Sequence, residues 1–154
     1  MVNTKSILIV DDDETILAVL KEILELEGYI VETAATGKEA IKKSEDNLFN
    51  LSLLDIKLPD MEGTELLAKL HEANPRMIEI IITGFPSFDN AVKSLNLGAD
   101  AYIMKPVNSK ELLELVGGKI REQQAASKMD EDRVSDWIND KIREIEQEQH
   151  DRQS

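Results

Sequence analysis

Residues 7–13 read ILIVDDD, a run of four aliphatic residues that ends in three aspartates. An unbroken apolar run of this length is typical of a strand that is buried on both faces of a sheet. In the next stretch, residues 14–27, apolar side chains recur every three or four positions, and the stretch ends before Gly28. This spacing predicts an amphipathic helix that is closed by a glycine. The beginning of the chain is therefore predicted to form a strand followed by a helix.

The same alternation continues to about residue 121. Four further apolar runs, at 29–33, 51–54, 77–82 and 101–104, are each followed by a segment of helical spacing. Alternating strands and helices of this kind predict βαβ units, which build a parallel sheet with helices on both faces. The sequence therefore predicts an α/β fold with a doubly wound, five-stranded parallel sheet and five helices.

The composition limits the compartment and the partners. The chain has 154 residues, a formal net charge of −13 and no cysteine. The lack of cysteine excludes disulfides and thiolate zinc sites and suits a reducing compartment, so a cytoplasmic location is expected. The apolar runs are far shorter than the roughly 20 residues of a membrane span, so no membrane partner is expected. The negative charge, without a basic stripe, argues against direct binding to nucleic acid.

The composition changes after about Arg121, which predicts a domain at 1–121 and a charged C-terminal tail at 122–154. Gly117 and Gly118 are predicted to weaken or interrupt the helix before this boundary, because each glycine costs about 1 kcal/mol relative to alanine.

Within the tail, residues from about 132 to 147 are predicted to form an amphipathic helix. Its apolar stripe comprises Val134, Trp137, Ile138, Ile142 and Ile145. Acidic residues four positions apart repel one another along the same segment, so an isolated helix would be marginal. We interpret this C-terminal helical extension as a docking or dimerisation element, and the alternative is a mostly disordered end.

Polar residues directly follow four of the predicted strands. Asp11 and Asp12 follow the first strand, Asp55 the third, Thr83 the fourth and Lys105 the fifth. Because ligands of open parallel α/β sheets bind beyond the carboxyl ends of the strands, these side chains are expected to converge. Three neighbouring carboxylates need a countercharge, and a set of oxygen ligands favours Mg²⁺, with Mn²⁺ as the next choice.

The lysine and the threonine suit a different part of the chemistry. An ammonium group neutralises the equatorial oxygens of a transferring phosphoryl group, and a nucleophile must be held in line with it. Asp55 is the candidate nucleophile, and its reaction would give an acyl phosphate. These residues therefore predict a site that accepts a phosphoryl group.

Four motifs in this order resemble the receiver domain of two-component response regulators. They are ILIVDDD at 7–13, LLDIKLPDMEG at 53–63, IITG at 81–84 and YIMKP at 102–106. The resemblance covers residues 1 to about 121 and is to a single-domain regulator, here with a C-terminal helical tail. It implies a flavodoxin-like fold with the strand order 2-1-3-4-5.

The resemblance also implies a role for each matching residue. Asp55 is the phosphoacceptor, and Lys105 pairs with the phosphoryl oxygens. Thr83 takes part in the reaction and, together with Tyr102, in the conformational switch. The implied Mg²⁺ ligands are Asp11, Asp12, Asp55 and the backbone carbonyl of Lys57.

A response regulator implies particular partners. The phosphoryl group is expected to come from a histidine kinase, and the output to be a conformational change that an unidentified downstream protein recognises. Such a chain catalyses only its own phosphorylation and dephosphorylation. A homodimer would form through the face of helix 4, strand 5 and helix 5 or through the tail helix.

Two alternatives belong to other classes of protein. The pattern Asp11-x-Asp13-x-Thr15 after a buried strand resembles the nucleophile motif of haloacid-dehalogenase-type phosphatases. In that family the second acidic motif follows the lysine, whereas Asp55 precedes Lys105 here, so the order argues against it. The other alternative is a phosphate-independent scaffold that uses the receiver fold for binding alone, and the complete set of site residues argues against that.

Overall fold

Strands and helices alternate along the chain, as the sequence pattern predicts. The computed structural model describes residues 4–153. The strands are β1 (Ser6–Val10), β2 (Ile30–Ala34), β3 (Leu51–Leu54), β4 (Ile78–Thr83) and β5 (Ala101–Met104). The helices are α1 (Glu14–Leu26), α2 (Gly37–Asp46), α3 (Gly63–Ala73), α4 (Phe88–Asn96) and α5 (Ser109–Gln153).

The five strands form one parallel sheet in the order β2-β1-β3-β4-β5. β3 and β4 are buried along their whole length, which is what their nearly unbroken apolar sequences predict for the centre of a parallel sheet. The prediction of a flavodoxin-like, doubly wound sheet with five helices is confirmed.

A cluster of buried apolar side chains joins the sheet to α2 and α3. Each large aliphatic side chain in it contributes about 1.5–3 kcal/mol by leaving water. Its members are Leu8, Val10, Ala34, Ala40, Phe49, Leu54, Ile56, Leu66, Leu67, Leu70, Met77, Ile81 and Ala99. This packing makes the carboxyl ends of β1, β3 and β4 a rigid base for the residues that follow them.

The hydrogen-bond ladder of the sheet continues one residue beyond the strands. The backbone N–H of Asp55 donates to the carbonyl of Val10 at 2.9 Å, and that of Lys105 donates to the carbonyl of Thr83 at 2.8 Å. The backbone of both functional residues is therefore held by the sheet, although each lies outside a strand.

The predicted interruption near Gly117 and Gly118 is wrong. α5 is continuous from Ser109 to Gln153, and the helix predicted at 132–147 is part of it. The cost of about 1 kcal/mol for each glycine is a weak signal that neighbouring residues override. Residues 121–126, REQQAA, consist of strong helix formers and carry the helix across the segment where the composition changes.

The described residues divide into two compact units, residues 4–117 and residues 118–153. Among residues 4–153, none of the helices is both long enough and apolar enough to cross a membrane.

Candidate functional site

Three aspartates meet where β1 and β3 end. Asp11 and Asp55 are buried, and Asp12 is exposed. One carboxylate oxygen from each of them lies within 4.8 Å of the others. The convergence predicted from the strand ends is therefore present, and it gives a pocket of oxygen ligands with one side open to solvent.

Lys105 connects two of these carboxylates. Its Nζ donates to Oδ2 of Asp11 at 2.6 Å and to Oδ2 of Asp55 at 3.2 Å. Burial works against the charge of Lys105, but the hydrogen bond and charge of Asp11, together with those of Asp55, outweigh it and raise the pKa of the ammonium group. The lysine therefore stays charged and acts as a fixed countercharge for the acidic pair.

Burial raises the pKa of the Asp55 carboxyl group, and the neighbouring charge of Asp11 raises it further. The charge of Lys105, its hydrogen bond and a backbone hydrogen bond from Lys57 act in the opposite direction. That backbone N–H lies 3.4 Å from Oδ1 of Asp55. A second cation in the pocket would favour the ionised carboxylate, which is the nucleophilic form.

Thr83 lies at the end of β4 and is fully buried. Its Oγ1 accepts a hydrogen bond from the backbone N–H of Phe85 at 2.9 Å. The ring of Phe85 lies beneath the ammonium group of Lys57, with Nζ 4.2 Å from the ring centroid. The loops that follow β3 and β4 thus contact each other through a cation–π interaction, which the sequence analysis missed.

Tyr102 lies in the middle of β5 and outside the charged cluster. It is partly buried against the core, and its hydroxyl oxygen accepts a hydrogen bond from the backbone N–H of Ser87 at 3.4 Å. The loop between β4 and α4 therefore contacts Thr83 at one end, through Phe85, and Tyr102 at the other.

The loop between β3 and α3 folds back on itself. Lys57 and Glu62 form an isolated antiparallel bridge, and the N–H of Gly63 donates to the carbonyl of Ile56 at 2.6 Å. A Cβ atom at position 63 would collide with the backbone of Asp55 and Ile56, so only glycine allows this close return.

The same loop is bonded to α2 through Asp60, which the sequence analysis also missed. Its Oδ1 accepts from the N–H of Gly37 at 2.8 Å, and its Oδ2 accepts from the N–H of Lys38 at 2.9 Å. The sequence carries no signal for this contact, because its partners lie more than 20 residues apart along the chain.

The residues present suit a hard divalent cation. The cluster offers only oxygen atoms, and the carboxylates of Asp11 and Asp55 are aimed into one pocket with a single ammonium group between them. Such ligands are those that Mg²⁺ and Mn²⁺ prefer.

The geometry agrees with comparisons with known proteins. The family model of the response regulator receiver domain matches residues 7–117. The chain therefore belongs to the response regulator receiver domain family, a family of signalling switches. Neither the phosphatase alternative nor the scaffold alternative is favoured by these matches.

Individual relatives support the same assignment. The alkaline phosphatase synthesis transcriptional regulatory protein PhoP of Bacillus subtilis is 36% identical over 123 residues, which are 80% of this chain and 51% of that protein. The chain thus spans about half the length of this curated relative.

Two solved structures show the fold and the chemistry in relatives. A response regulator receiver domain protein (CheY-like) from Methanospirillum hungatei JF-1 is 58% identical with a TM-score of 0.79, covering 80% of this chain and 99% of that chain. A response regulator protein from Burkholderia pseudomallei, solved with a phosphorylated aspartic acid, a calcium ion and citrate, is 32% identical with a TM-score of 0.71. That match covers 80% of this chain and 72% of the other.

Proposed function

We propose that Asp55 accepts a phosphoryl group from the phosphohistidine of a histidine kinase in a Mg²⁺-dependent reaction. The signal then passes to a downstream protein through a change of conformation. The observation that carries this proposal is the ammonium group of Lys105 within hydrogen-bond distance of both Asp11 and Asp55. The phosphorylated aspartate of the Burkholderia pseudomallei regulator supports the same chemistry.

In the proposed reaction a carboxylate oxygen of Asp55 attacks phosphorus. The new O–P bond forms as the P–N bond of the phosphohistidine breaks, and the leaving imidazole nitrogen takes a proton from water. Lys105 neutralises charge on the phosphoryl oxygens, because its Nζ already lies beside the nucleophile. A Mg²⁺ ion held by Asp11, Asp12, Asp55 and the Lys57 carbonyl would neutralise the remaining negative charge.

The switch would begin at Thr83. Its hydroxyl group faces the β4–α4 loop through the N–H of Phe85, and Tyr102 contacts the same loop through the N–H of Ser87. If the Thr83 hydroxyl turns to the phosphoryl group, the loop loses one contact and the Tyr102 side chain is free to follow. The phosphoryl group carries about −1.5 to −2 charges in place of the single charge of the Asp55 carboxylate, and only its unequal interaction with the two loop positions shifts their populations.

The test is the intact mass of the chain after incubation with acetyl phosphate and Mg²⁺. We expect the gain of one phosphoryl group, and its loss both in Asp55→Asn and with a chelator. Asp46→Asn, which removes an exposed aspartate at the end of α2, is the matched control and should still be labelled. No gain under any condition would contradict the proposal and favour a phosphate-independent scaffold, whereas repeated turnover of the donor without a stable label would favour a phosphatase.

We also propose that the receiver extends to about residue 121 and that residues 122–154 act as a docking or dimerisation element in the cytoplasm. The stripe predicted from the sequence is exposed, and Trp137, at 61%, is its most exposed member. Burial of each of these side chains in an interface would contribute about 1.5–3 kcal/mol of free energy, which is lost while it stays in water.

Sedimentation velocity of the full chain tests this element. Ile138→Glu places a charge on the stripe, and Asn139→Glu places the same charge beside it on the same helix. We expect self-association, or co-sedimentation with a partner protein, to be lost in Ile138→Glu alone. Equal behaviour of both variants and of the original chain would mean that the stripe is not an interface.

A further inference from the structure

The N-terminus of α2 carries a cap from within its own sequence and a second from another loop. Oγ1 of Thr36 accepts from the N–H of Glu39 at 3.1 Å, and Oε2 of Glu39 accepts from the N–H of Ala35 at 3.1 Å. This pair is a variant of the capping box, because Glu39 accepts from the residue before the N-cap and not from the N-cap itself. The N–H groups of Gly37 and Lys38 in the first turn both donate to the carboxylate of Asp60, which lies 23 and 22 residues further along the chain, respectively.

The loop of residues 56–62 packs closely against the start of α2. Met61 packs against the start of α2, and a Cβ atom at Gly37 would collide with its side chain. The hydrogen bonds from Gly37 and Lys38 lower the pKa of Asp60, so the carboxylate stays charged. A negative charge at a helix N-terminus is also favoured by the helix dipole.

The position of Asp60 in its loop connects this contact to the acidic pocket. Asp60 lies between Lys57 and Glu62, whose backbones form the bridge that closes the loop. The loop begins at Asp55, whose backbone N–H donates to β1, and it closes at Gly63, whose N–H donates to the carbonyl of Ile56 at the start of the loop. Between those ends, the side chain of Asp60 forms hydrogen bonds with the backbone of α2 and so links the loop to another element.

We propose that Asp60 is a positioning residue that holds the loop of residues 56–62 against α2 and thereby fixes the Lys57 carbonyl as a ligand for the divalent cation. This inference rests on the proposed function, because it assigns a support to the metal site used there. Asp60 touches neither the metal pocket nor the phosphoryl group and acts through the loop backbone. Removal of a residue that orients a metal ligand in this way commonly weakens metal binding about 10–100-fold.

The experiment is calorimetric titration of the full chain with Mg²⁺ in the absence of any phosphodonor. We expect Asp60→Ala to bind Mg²⁺ about tenfold more weakly than the original chain. Glu62→Ala is the matched control for charge, because Glu62 lies in the same loop and its side chain forms no cap hydrogen bond at α3. It should bind Mg²⁺ within about twofold of the original chain.

A second control separates the loop from the helix. Thr36→Ala removes the capping bond of α2 and leaves Asp60 in place. If Thr36→Ala weakens Mg²⁺ binding as much as Asp60→Ala, Asp60 merely stabilises α2 and the proposal is wrong. Where Asp60→Ala fails to fold, Asp60→Asn, which keeps one acceptor oxygen, takes its place and should show a smaller loss in the same direction.

Labelling with acetyl phosphate at increasing Mg²⁺ gives an independent readout. Asp60→Ala should need about tenfold more Mg²⁺ for half-maximal rate and reach nearly the original rate at saturation. Unchanged Mg²⁺ affinity in this variant would overturn the positioning role while leaving the proposed function intact. If the original chain binds no Mg²⁺, the proposed function itself fails.

Discussion

Two regions of the same sheet bury carboxyl groups and place them in opposite electrostatic environments. At the carboxyl edge, Asp11 and Asp55 share the ammonium group of Lys105 at 2.6 Å and 3.2 Å. In β4, Glu79 is fully buried, and neither of its oxygens accepts a hydrogen bond from the described residues. Nδ1 of His71 in α3 lies 3.7 Å from its Oε2, too far for a hydrogen bond.

The electrostatics follow from this difference. Burial raises the pKa of Glu79 to about 8, and the charge of Asp100 adds to the effect. Asp100 cannot relieve it, because it accepts the backbone N–H of Glu79 and brings a second negative charge. A buried carboxyl group that is hydrogen-bonded to a cation can ionise and act as a nucleophile. A buried carboxyl group without such a cation favours the neutral form, and its ionisation lowers the stability of the fold.

The largest expected effect comes from Glu79→Gln, which removes the ionisation and keeps the shape. The pKa of Glu79 is about 8 in the folded chain against 4.5 for an ordinary glutamate, so folding favours the protonated form. The contribution of Glu79 to the free energy of unfolding is therefore fully present below about pH 4.5 and is lost as the pH rises towards 8. At about pH 9 the variant should be more stable than the original chain by on the order of 4 kcal/mol.

The measurement is urea unfolding of both proteins between about pH 5 and pH 9. Glu65→Gln, which changes an exposed glutamate paired with Lys69, should show no comparable pH dependence. A constant difference between Glu79→Gln and the original chain at every pH would mean that Glu79 is ionised in the folded state. The contrast between the two regions would then be lost.

A smaller effect is expected from Lys105→Met at the opposite edge. Breaking a buried ion pair costs about 3–5 kcal/mol, and the Lys105 side chain is 19% exposed, so we expect a loss of about 2–3 kcal/mol in chelator. Added Mg²⁺ should return part of this loss, because it supplies another countercharge. Lys21→Met, which breaks an exposed pair with Glu25, should cost less than about 0.5 kcal/mol.

Urea unfolding with and without Mg²⁺ decides this case. If Lys105→Met is as stable as the original chain in chelator, Lys105 does not compensate Asp11 and Asp55. The carboxyl edge would then resemble the environment of Glu79 more than the distances indicate.

The predictable part of the molecule is the part governed by periodicity. The strands, the helices and the convergence of Asp11, Asp55 and Lys105 follow from apolar runs, helical spacing and the shared edge of a parallel sheet. The order of the strands in the sheet was implied only by the resemblance to receiver domains. The roles of the individual residues stay predictions until the labelling experiment is done.

The remaining features depend on contacts between distant segments, which periodicity does not report. Glu79 lies within IEIIIT, and nothing in the sequence indicates that its oxygens accept no hydrogen bond from residues 4–153. The pairing of Asp60 with α2 requires the return of the β3–α3 loop, which only the folded chain defines. At Gly117 and Gly118 the weak preference against helix was given too much weight, because it is smaller than the combined preference of the flanking residues.

The position of the only tryptophan in the sequence has a spectroscopic consequence. Trp137 lies in α5, and Lys141 Nζ is 5.9 Å from its ring centroid, whereas every residue of the acidic pocket lies between positions 11 and 105. Indole emission, excited selectively over the tyrosines, therefore reports on the surroundings of Trp137 in the C-terminal helix. Mass would record a phosphoryl group and fluorescence the surroundings of the helix, so a single sample gives two separate signals for the two parts of the chain.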